Sequence, residues 1–328
     1  MSVRRETLST ADASRAQAKR RASAASRGVA PPRVESTIVP LVEGKLYVLP
    51  NAYELDGRVA THPLDARGFA PLNSYLVVEQ SHALLIDTGW SVHEQSLLAQ
   101  LDSLIDRSTP LTLWLLRSGE FAGICNTRPI VETFSVGSIY GAGGDPPAWA
   151  DFRPEFVPYG APVGGGAMSG VERCGVAVGE PVRVGDGRAL LPLDAPLRLL
   201  SASWIYDAET RTLFTADAFT YAWQPTEHGP WLVTSDNDPT TPEGIWDYLV
   251  HSRFWWLAGA RTEPLRTAIA AIFDSYDIET IAPAFGCVLH GRDLVDRHRR
   301  ALDTILAHAA TAPSIGREVA QWRIRSEA

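Results

Sequence analysis

The chain has 328 residues, of which 45% are hydrophobic, and a formal net charge of −8 at pH 7. Its three cysteines, Cys125, Cys174 and Cys287, are widely spaced and form no CxxC motif, which argues against a disulfide framework and a zinc knuckle. The sequence has no apolar run of about 18 residues and no apolar core of a secretory signal, so we expect a cytoplasmic protein without a membrane partner.

Charge is distributed unevenly along the chain. Residues 1–33 contain eight basic and two acidic residues, a net charge of +6, which leaves −14 for the rest. This Arg-, Ser- and Ala-rich segment cannot bury enough apolar surface to offset the entropy of ordering it, so we predict a disordered basic tail at 1–33 and one domain at 34–328. The acidic domain predicts no nucleic-acid partner. Arginine outnumbers lysine by 28 to 2, which favours the coding bias of a GC-rich bacterium over an organellar transit peptide.

The domain begins with β-strand patterns. Residues 36–50 predict two short strands around a turn at Glu43 and Gly44. Residues 74–78 and 83–86 are two further β-rich runs, joined by a polar turn that fits a hairpin. A β layer therefore starts here.

A turn, a helix and a buried strand follow. Asp87 ends the second hairpin strand in an Asp-Thr-Gly turn. Leucines at 97, 98, 101 and 104 have the spacing of a helix with one apolar stripe. Residues 111–116, LTLWLL, predict a buried strand that runs directly into the stretch LLRSGEFAGICN at 115–126.

Three stretches in this order resemble the metallo-β-lactamase fold superfamily: NSYLV at 73–77, LLIDTG at 84–89, and the strand that leads into an Ala-Gly pair. Residues 204–219, WIYDAETRTLFTADAF, resemble its oxygen-binding diiron branch, which includes the flavodiiron proteins. The resemblance covers roughly residues 36–310 and implies a four-layer αββα sandwich, with helices outside two packed sheets. We recognise no flavodoxin-like domain after it.

The same resemblance implies metal ligands, and most of them are missing. In the superfamily the buried strand opens onto an HxHxDH loop, or HxExDH in the diiron branch. Aligned on its Ala-Gly pair, this chain has at the four ligand positions Leu116, Ser118, Glu120 and Phe121. Asp217 matches the metal-bridging aspartate, and Phe285 stands in place of the last histidine. The strand predicted over 197–203 lacks the histidine expected there.

Too few donors remain for the usual metal centre. A catalytic zinc needs about three protein ligands, and a diiron pair needs several nitrogen and oxygen donors around a bridging carboxylate. Only Glu120 and Asp217 could bind metal, so we expect no metal and no cofactor, with residual iron or zinc as the alternative. His62, His228 and His290 lie isolated in predicted loops, and we interpret them as solvated or packing residues.

Glu120 and Asp217 are also the candidate catalytic residues, as a general acid/base pair if the fold brings them together. The alternative interpretation makes Glu120 a leftover polar residue at a loop tip. A buried Asp217 without metal needs another positive partner, because an unpaired buried carboxylate is costly. We expect Arg117 or Arg198 to supply that charge.

Aromatic and sulfur-containing residues are candidates for the walls of a pocket. Trp223 and Trp231 follow the bridging-aspartate position closely and favour a small hydrophobic or aromatic ligand. Cys125 and Cys287 could face the same pocket as a redox-sensitive pair, although buried structural cysteines are the simpler interpretation. The Gly-rich stretch at 160–170 predicts a flexible loop over the pocket mouth.

Three classes of function stay open from the sequence. The first is a degenerate pseudoenzyme that binds or senses a small molecule without metal. The second is a hydrolase or oxidoreductase that uses non-metal acid/base residues or a displaced metal site. The third is a partner subunit in an assembly, and a homodimer also stays open. Resemblance of fold cannot choose among these classes.

Overall fold

Two β-sheets form the centre of the structure. The computed structural model of the protein describes residues 37–141 and 170–313, so the predicted tail at 1–33 and nearly all of the glycine-rich loop at 160–170 lie outside the described residues. Within the described ranges, each sheet has seven strands.

The first sheet has its strands in chain order. They are β1 (Val39–Val42), β2 (Leu46–Glu54), β3 (Phe69–Glu79), β4 (His82–Ile86), β5 (Leu111–Leu115), β6 (Val136–Gly141) and β7 (Glu172–Gly175). Neighbours pair antiparallel from β1 to β4 and parallel from β4 to β7. Both predicted strand pairs are confirmed as β1–β2 and β3–β4, although β3 begins at Phe69 rather than Ser74.

The second sheet has the strand order β12-β14-β13-β11-β10-β9-β8. Its strands are β8 (Val182–Val184), β9 (Arg188–Asp194), β10 (Ser203–Asp207), β11 (Thr212–Ala216), β12 (Leu232–Val233), β13 (Thr280–Pro283) and β14 (Val288–His290). The pair β11–β13 is parallel, and its carboxyl end forms half of the site described below.

Two details of the second sheet differ from prediction. The strand predicted over 197–203 is wrong, because β10 starts only at Ser203. Pro196 directly precedes residues 197–203 and lacks the backbone N–H that would donate a hydrogen bond to a neighbouring strand. His290 was expected in a loop, but Gly286, just beyond β13, takes a positive φ of 77° and turns the chain back into β14, which contains His290.

Helices cover the outer faces of both sheets. They are α1 (Glu94–Leu104), α2 (Phe121–Ile124), α3 (Thr127–Thr133), α4 (Pro242–Tyr248), α5 (Glu263–Ser275) and α6 (Arg292–Ala309). The predicted leucine stripe of α1 is confirmed, since Leu97 and Leu101 are fully buried against the first sheet. On the second sheet, α6 contributes Leu302 and Leu306 to the outer core. None of the described helices is long and apolar enough to cross a membrane.

A further hydrophobic cluster lies between the sheets. Val48 and Trp114 of the first sheet belong to it together with Ile205 and Phe214 of the second. Helix, sheet, sheet and helix therefore stack in that order. The predicted four-layer αββα sandwich is confirmed.

Strand β3 links the two sheets at the end where the site lies. Asn73 Nδ2 donates to the carbonyl oxygens of Pro283 at 2.9 Å and Gly286 at 2.8 Å. The Asn73 N–H donates to the Ala284 carbonyl at 2.8 Å, and Tyr75 Oη donates to Pro283 at 2.6 Å. The turn that carries Phe285 is thus fixed to the opposite sheet.

We expect Asn73→Ala to lower the free energy of unfolding by about 2–3 kcal/mol, because it removes two buried hydrogen bonds and leaves the Gly286 carbonyl without this donor. Tyr75→Phe removes one bond to a carbonyl that Asn73 still serves, so it should cost only about 1 kcal/mol. Urea unfolding of both variants measures the difference. Equal losses would contradict this account of how the sheets are joined.

Candidate functional site

Four strand ends from the two sheets converge on one place. Asp87 follows β4, Arg117 lies just beyond β5, Asp217 follows β11 and Phe285 lies just beyond β13. β4 and β5 are parallel neighbours, as are β11 and β13, so each pair presents its carboxyl ends together. All four side chains are buried.

Asp87 and Arg117 form the first ion pair of the site. Arg117 Nε donates to Asp87 Oδ2 at 3.0 Å, and the Arg117 backbone N–H donates to Oδ1 at 3.3 Å. Asp87 has a positive φ of 57°, an uncommon conformation for a non-glycine residue. Helix α2, which follows Arg117, needs glycine at position 123, because a Cβ there would lie 2.6 Å from the Arg117 carbonyl oxygen and 3.1 Å from Asp87 Oδ1. The Asp-Thr-Gly and Ala-Gly motifs therefore pack directly against each other.

Asp217 and Arg253 form the second ion pair. Arg253 Nη2 lies 2.5 Å from Asp217 Oδ1, and the Leu199 N–H donates to Oδ2 at 3.4 Å. Ala216 has a positive φ of 49° beside an irregularity in the β11–β13 pairing, and such a bulge re-aims the next side chain. Arg253 ends a π-helical turn, Leu249–Arg253, that continues α4.

The expected arginine partner of Asp217 is present, but it is Arg253 and neither of the two predicted arginines. Arg198 is 43% exposed and pairs with Asp194 at 3.0 Å on the surface. Arg117 forms its ion pair with Asp87 instead. Arg253 was missed because nothing in its local sequence distinguishes it from a surface arginine, and only the π-helical turn brings it to the strand ends.

Glu120 bridges the two ion pairs. Its Oε2 lies 3.5 Å from Arg117 Nη1 and 3.6 Å from Arg253 Nη2. Burial raises the pKa of Glu120, and Asp217 and Asp87 add to that shift against the opposing pull of the two arginines. Glu120 and Asp217 therefore contact the same arginine, Arg253, and their role as an acid/base pair stays a prediction.

Phe285 forms the floor under both guanidinium groups. Arg117 Cζ lies 4.6 Å and Arg253 Cζ 5.4 Å from the centre of its ring. Cations over an aromatic face gain about 0.5–2 kcal/mol, with the larger values at desolvated sites such as this one. The residue in the place of the last histidine thus supports positive charge.

Aromatic rings wall the site. The Phe285 ring lies 6.5 Å from that of Tyr53 and 6.0 Å from that of Trp90. His62 packs edge-on against three rings, those of Tyr53 at 5.8 Å, Trp223 at 5.7 Å and Tyr248 at 5.3 Å. The sequence predicted His62 as a solvated or packing residue, and it packs, but in the wall of the site.

The ionisable groups in the wall of the site are neutral at pH 7. Burial lowers the pKa of His62 to about 3, and Arg253 adds to the shift, so the imidazole is neutral at pH 7. Burial raises the pKa of Tyr53 well above its ordinary value and that of Tyr248 to about 12. The wall is therefore neutral, and the charge lies on the arginines and carboxylates.

Several polar atoms of this site are buried and have no hydrogen-bond partner within residues 37–141 and 170–313. They are Tyr53 Oη, His62 Nε2, Arg117 Nη2, Glu120 Oε1 and Arg253 Nε. Unsatisfied buried polar atoms are uncommon in native proteins, and a cluster of them in one place requires a physical reason such as a water or ligand. Sequence reasoning had no signal for this cluster.

The remaining predicted site residues lie in different surroundings. Leu116 packs in the core between the sheets, Ser118 is buried and Phe121 is 57% exposed. Trp223 contacts the site through His62 and also lines a cleft of about 190 Å³. Trp231 belongs instead to the core outside the second sheet.

Cys287 does not show the features of a reactive thiol. Cys287 is fully buried, and its Sγ lies 3.8 Å from the Pro230 carbonyl oxygen. Burial raises the pKa of the Cys287 thiol to about 12, which disfavours the reactive thiolate. Cys125 is half-buried between α2 and α3. For Cys287, burial favours the structural interpretation.

The residues present do not fit a dinuclear metal centre. The two carboxylates at ligand positions, Glu120 and Asp217, face guanidinium groups rather than further donors. Leu116 and Phe285 offer no donor atom, and histidine is absent from the other ligand positions. In residues 37–141 and 170–313, no three His, Cys, Asp or Glu side chains are grouped so that they could hold a metal ion.

Comparison with solved structures identifies the fold. The rubredoxin oxygen:oxidoreductase of Desulfovibrio gigas matches with a TM-score of 0.61 and 18% identity over 85% of this chain and 63% of that one. The Flv1 flavodiiron core from Synechocystis sp. matches with a TM-score of 0.59 and 16% identity over 81% and 60% of the two chains. The chain has the metallo-β-lactamase-like fold of a flavodiiron core.

A shorter structure, residues 1–254 of the putative diflavin flavoprotein A 5 from Nostoc sp., matches with a TM-score of 0.58 and 15% identity over 84% of this chain and 96% of that fragment. The chain thus spans about three fifths of the two longer flavodiiron proteins but nearly all of this fragment. No protein-family model matches the sequence, and neither does any curated protein. At these identities the likeness establishes the fold alone.

The Asp217–Arg253 pair can be tested with a double-mutant cycle. Removing one partner leaves the other buried without its nearest counter-charge, so Asp217→Asn and Arg253→Met should each lower the free energy of unfolding by about 3–5 kcal/mol. The double variant should lose at least about 1 kcal/mol less than the sum. Additive losses in urea unfolding would show that the two side chains do not interact.

Glu120 should make stability depend on pH. Because its folded-state pKa is raised, the fold is penalised as pH rises from the unfolded value of about 4.3 through the folded value, and the penalty then persists at higher pH. Glu120→Gln mimics the protonated form, so it should be more stable than the parent at pH 7 and equally stable near pH 4. Glu132→Gln, on the surface helix α3, serves as the control and should leave the parent's pH profile in place. An unchanged profile in Glu120→Gln would contradict the raised pKa.

Proposed function

We propose that this chain binds or senses a small molecule on a flavodiiron-core fold, without the usual dinuclear metal centre. The observation that carries the proposal is the cluster of buried, unpartnered polar atoms at the strand ends. Leaving such atoms unpaired costs free energy, and a ligand that pairs with them would recover it.

The surroundings of these atoms support a small aromatic or hydrophobic ligand. Binding sites combine apolar and aromatic walls with a few polar groups that fix orientation. Here Tyr53, Trp90 and Phe285 provide aromatic surface, and Arg117 and Arg253 provide fixed donors. The site lies where the fold resemblance implies a metal centre. The fold would therefore be the same as in the resembled proteins, with a different chemistry at its strand ends.

A compound screen tests this proposal. Small planar and hydrophobic compounds are tested for raising the melting temperature, and the hits are repeated on Trp90→Leu and Arg253→Met. Hits that depend on both residues support the site, and Trp256→Phe, an exposed tryptophan elsewhere, is the matched control. Hits that bind all variants equally would place the ligand elsewhere, and the absence of any hit would count against the function.

Metal content provides a further prediction. Because the ligand positions hold leucine, serine and phenylalanine, iron, zinc and manganese together should fall well below one per chain in protein purified without chelators. Elemental analysis measures this. Metal that is stoichiometric, survives dialysis and disappears in Asp217→Ala would overturn the metal-free proposal and favour an enzyme with a displaced site.

The second candidate function is an enzyme that uses Glu120 as a general acid/base. Its support is the buried glutamate with a raised pKa, a property that marks catalytic carboxyls as well as structural ones. Esterase, lactamase and oxygen-consumption assays test this candidate. Activity that Glu120→Gln abolishes while the fold persists would favour it over simple binding.

A further inference from the structure

We propose that the ligand of this site carries a carboxylate group, which displaces the Glu120 carboxylate from between Arg117 and Arg253. The inference rests on the small-molecule-binding function proposed above and names the chemical class of its ligand. Glu120 then acts as an internal occupant of the site, holding the two arginines until the ligand arrives.

Glu120 is the least firmly held of the three carboxylates. Asp87 lies 3.0 Å from its arginine and Asp217 lies 2.5 Å from its own. The Glu120 contacts, at 3.5 and 3.6 Å, exceed the length of about 2.7–2.9 Å that charge-assisted hydrogen bonds prefer. Two aspartates therefore fix two arginines, and the third carboxylate is exchangeable.

The two arginines still have donors to offer. Arg117 is 1% and Arg253 8% exposed. Arg117 Nη2 and Arg253 Nε are buried and have no hydrogen-bond partner in the part of the chain that the structure describes. Both guanidinium groups lie over the face of Phe285. A ligand carboxylate is not tethered to the backbone as Glu120 is, so it could approach both guanidinium groups closely. Its two oxygens could then accept hydrogen bonds from the donors that Glu120 leaves unpaired.

Charge balance favours exchange over simple addition. With Glu120 ionised, the two arginines and three carboxylates sum to −1. An added anion would make the net charge of this buried place −2, which is unfavourable. Replacing the carboxylate of Glu120 with that of a ligand leaves the buried charge unchanged. It also requires little new space for the anionic group, because Glu120 already occupies that space.

The position of Glu120 allows it to leave. Its side chain is 16% exposed, whereas Arg117 and Asp217 are almost fully buried. The next residue, Phe121, is 57% exposed, so this segment borders solvent. The preceding residue, Gly119, is loosely surrounded, because a Cβ built there would lie 3.7 Å from the nearest atom, which belongs to Leu200. Glu120 can thus turn outward without crossing the core.

Calorimetric titration with acetate, benzoate and 2-naphthoate tests the exchange. If Glu120 holds the arginines about nine-tenths of the time, the parent binds about tenfold more weakly than a protein whose arginines are free. Glu120→Gln removes the competing charge, so it should bind at least one of the three carboxylates about tenfold more tightly than the parent. Benzamide, the neutral counterpart of benzoate, should bind neither protein measurably.

Control variants separate the site from the rest of the surface. Glu132→Gln changes a glutamate that pairs with Arg128 on α3, and it should bind as the parent does. Arg253→Met should abolish binding. Because that change leaves Asp217 unpaired, the double variant Asp217→Asn/Arg253→Met, which loses both charges, is titrated beside it and should also fail to bind.

Several results would overturn the inference. Among them are equal affinities for the parent and Glu120→Gln, equal affinities for benzamide and benzoate, and no binding of any of the three carboxylates to Glu120→Gln. Neutral hits from the compound screen that require Arg253 would keep the proposed function and discard the carboxylate class. The absence of both neutral hits and carboxylate binding would sink the two proposals together.

Discussion

Two buried arginine–aspartate pairs over one phenylalanine ring determine how the strand ends of this protein meet. A buried charge is tolerated only when it is paired and hydrogen-bonded, so each aspartate requires its arginine in place. Arg117 reaches Asp87 within the first sheet, and Arg253 reaches Asp217 from the helical layer over the second. Glu120 then lies between them. The packing of two sheets and the end of one helix is thereby fixed at a single point.

The backbone around these pairs is held in uncommon conformations. Asp87 and Ala216 both have positive φ, which costs a non-glycine residue about 1–3 kcal/mol and persists only where the surrounding structure imposes it. Gly123 is required because a Cβ there would clash with the Arg117 carbonyl oxygen, and Asn73 ties the Phe285 turn to the opposite sheet. Strain of this kind is common at functional sites. The arrangement thus retains the local geometry of a site although the donor set does not suit the metals that the fold resemblance implies.

Electrostatics connects this geometry with the proposed ligand. The site has fixed positive groups, a neutral aromatic wall and one loosely held carboxylate at its exposed side. In such a site the incoming group must satisfy guanidinium donors without adding charge. Exchange of one carboxylate for another meets both conditions, and it explains why Glu120 is close to both arginines but well bonded to neither.

The sequence by itself determined the layers of the fold. Strand and helix periodicity is local, so the hairpin at 74–86 and the leucine stripe of α1 could be predicted without coordinates. The motifs at 84–89 and 204–219 carried the family resemblance, and that resemblance implied the αββα sandwich. The alignment likewise indicated which ligand positions had lost their donors. Only the tertiary structure decided what replaced them. Arg253 is 36 residues from Asp217 and His62 is farther still, and no local pattern specifies contacts that arise when separate layers pack. The strand at 197–203 was wrong for a related reason, since propensity there yields to the position of the neighbouring strands and to Pro196.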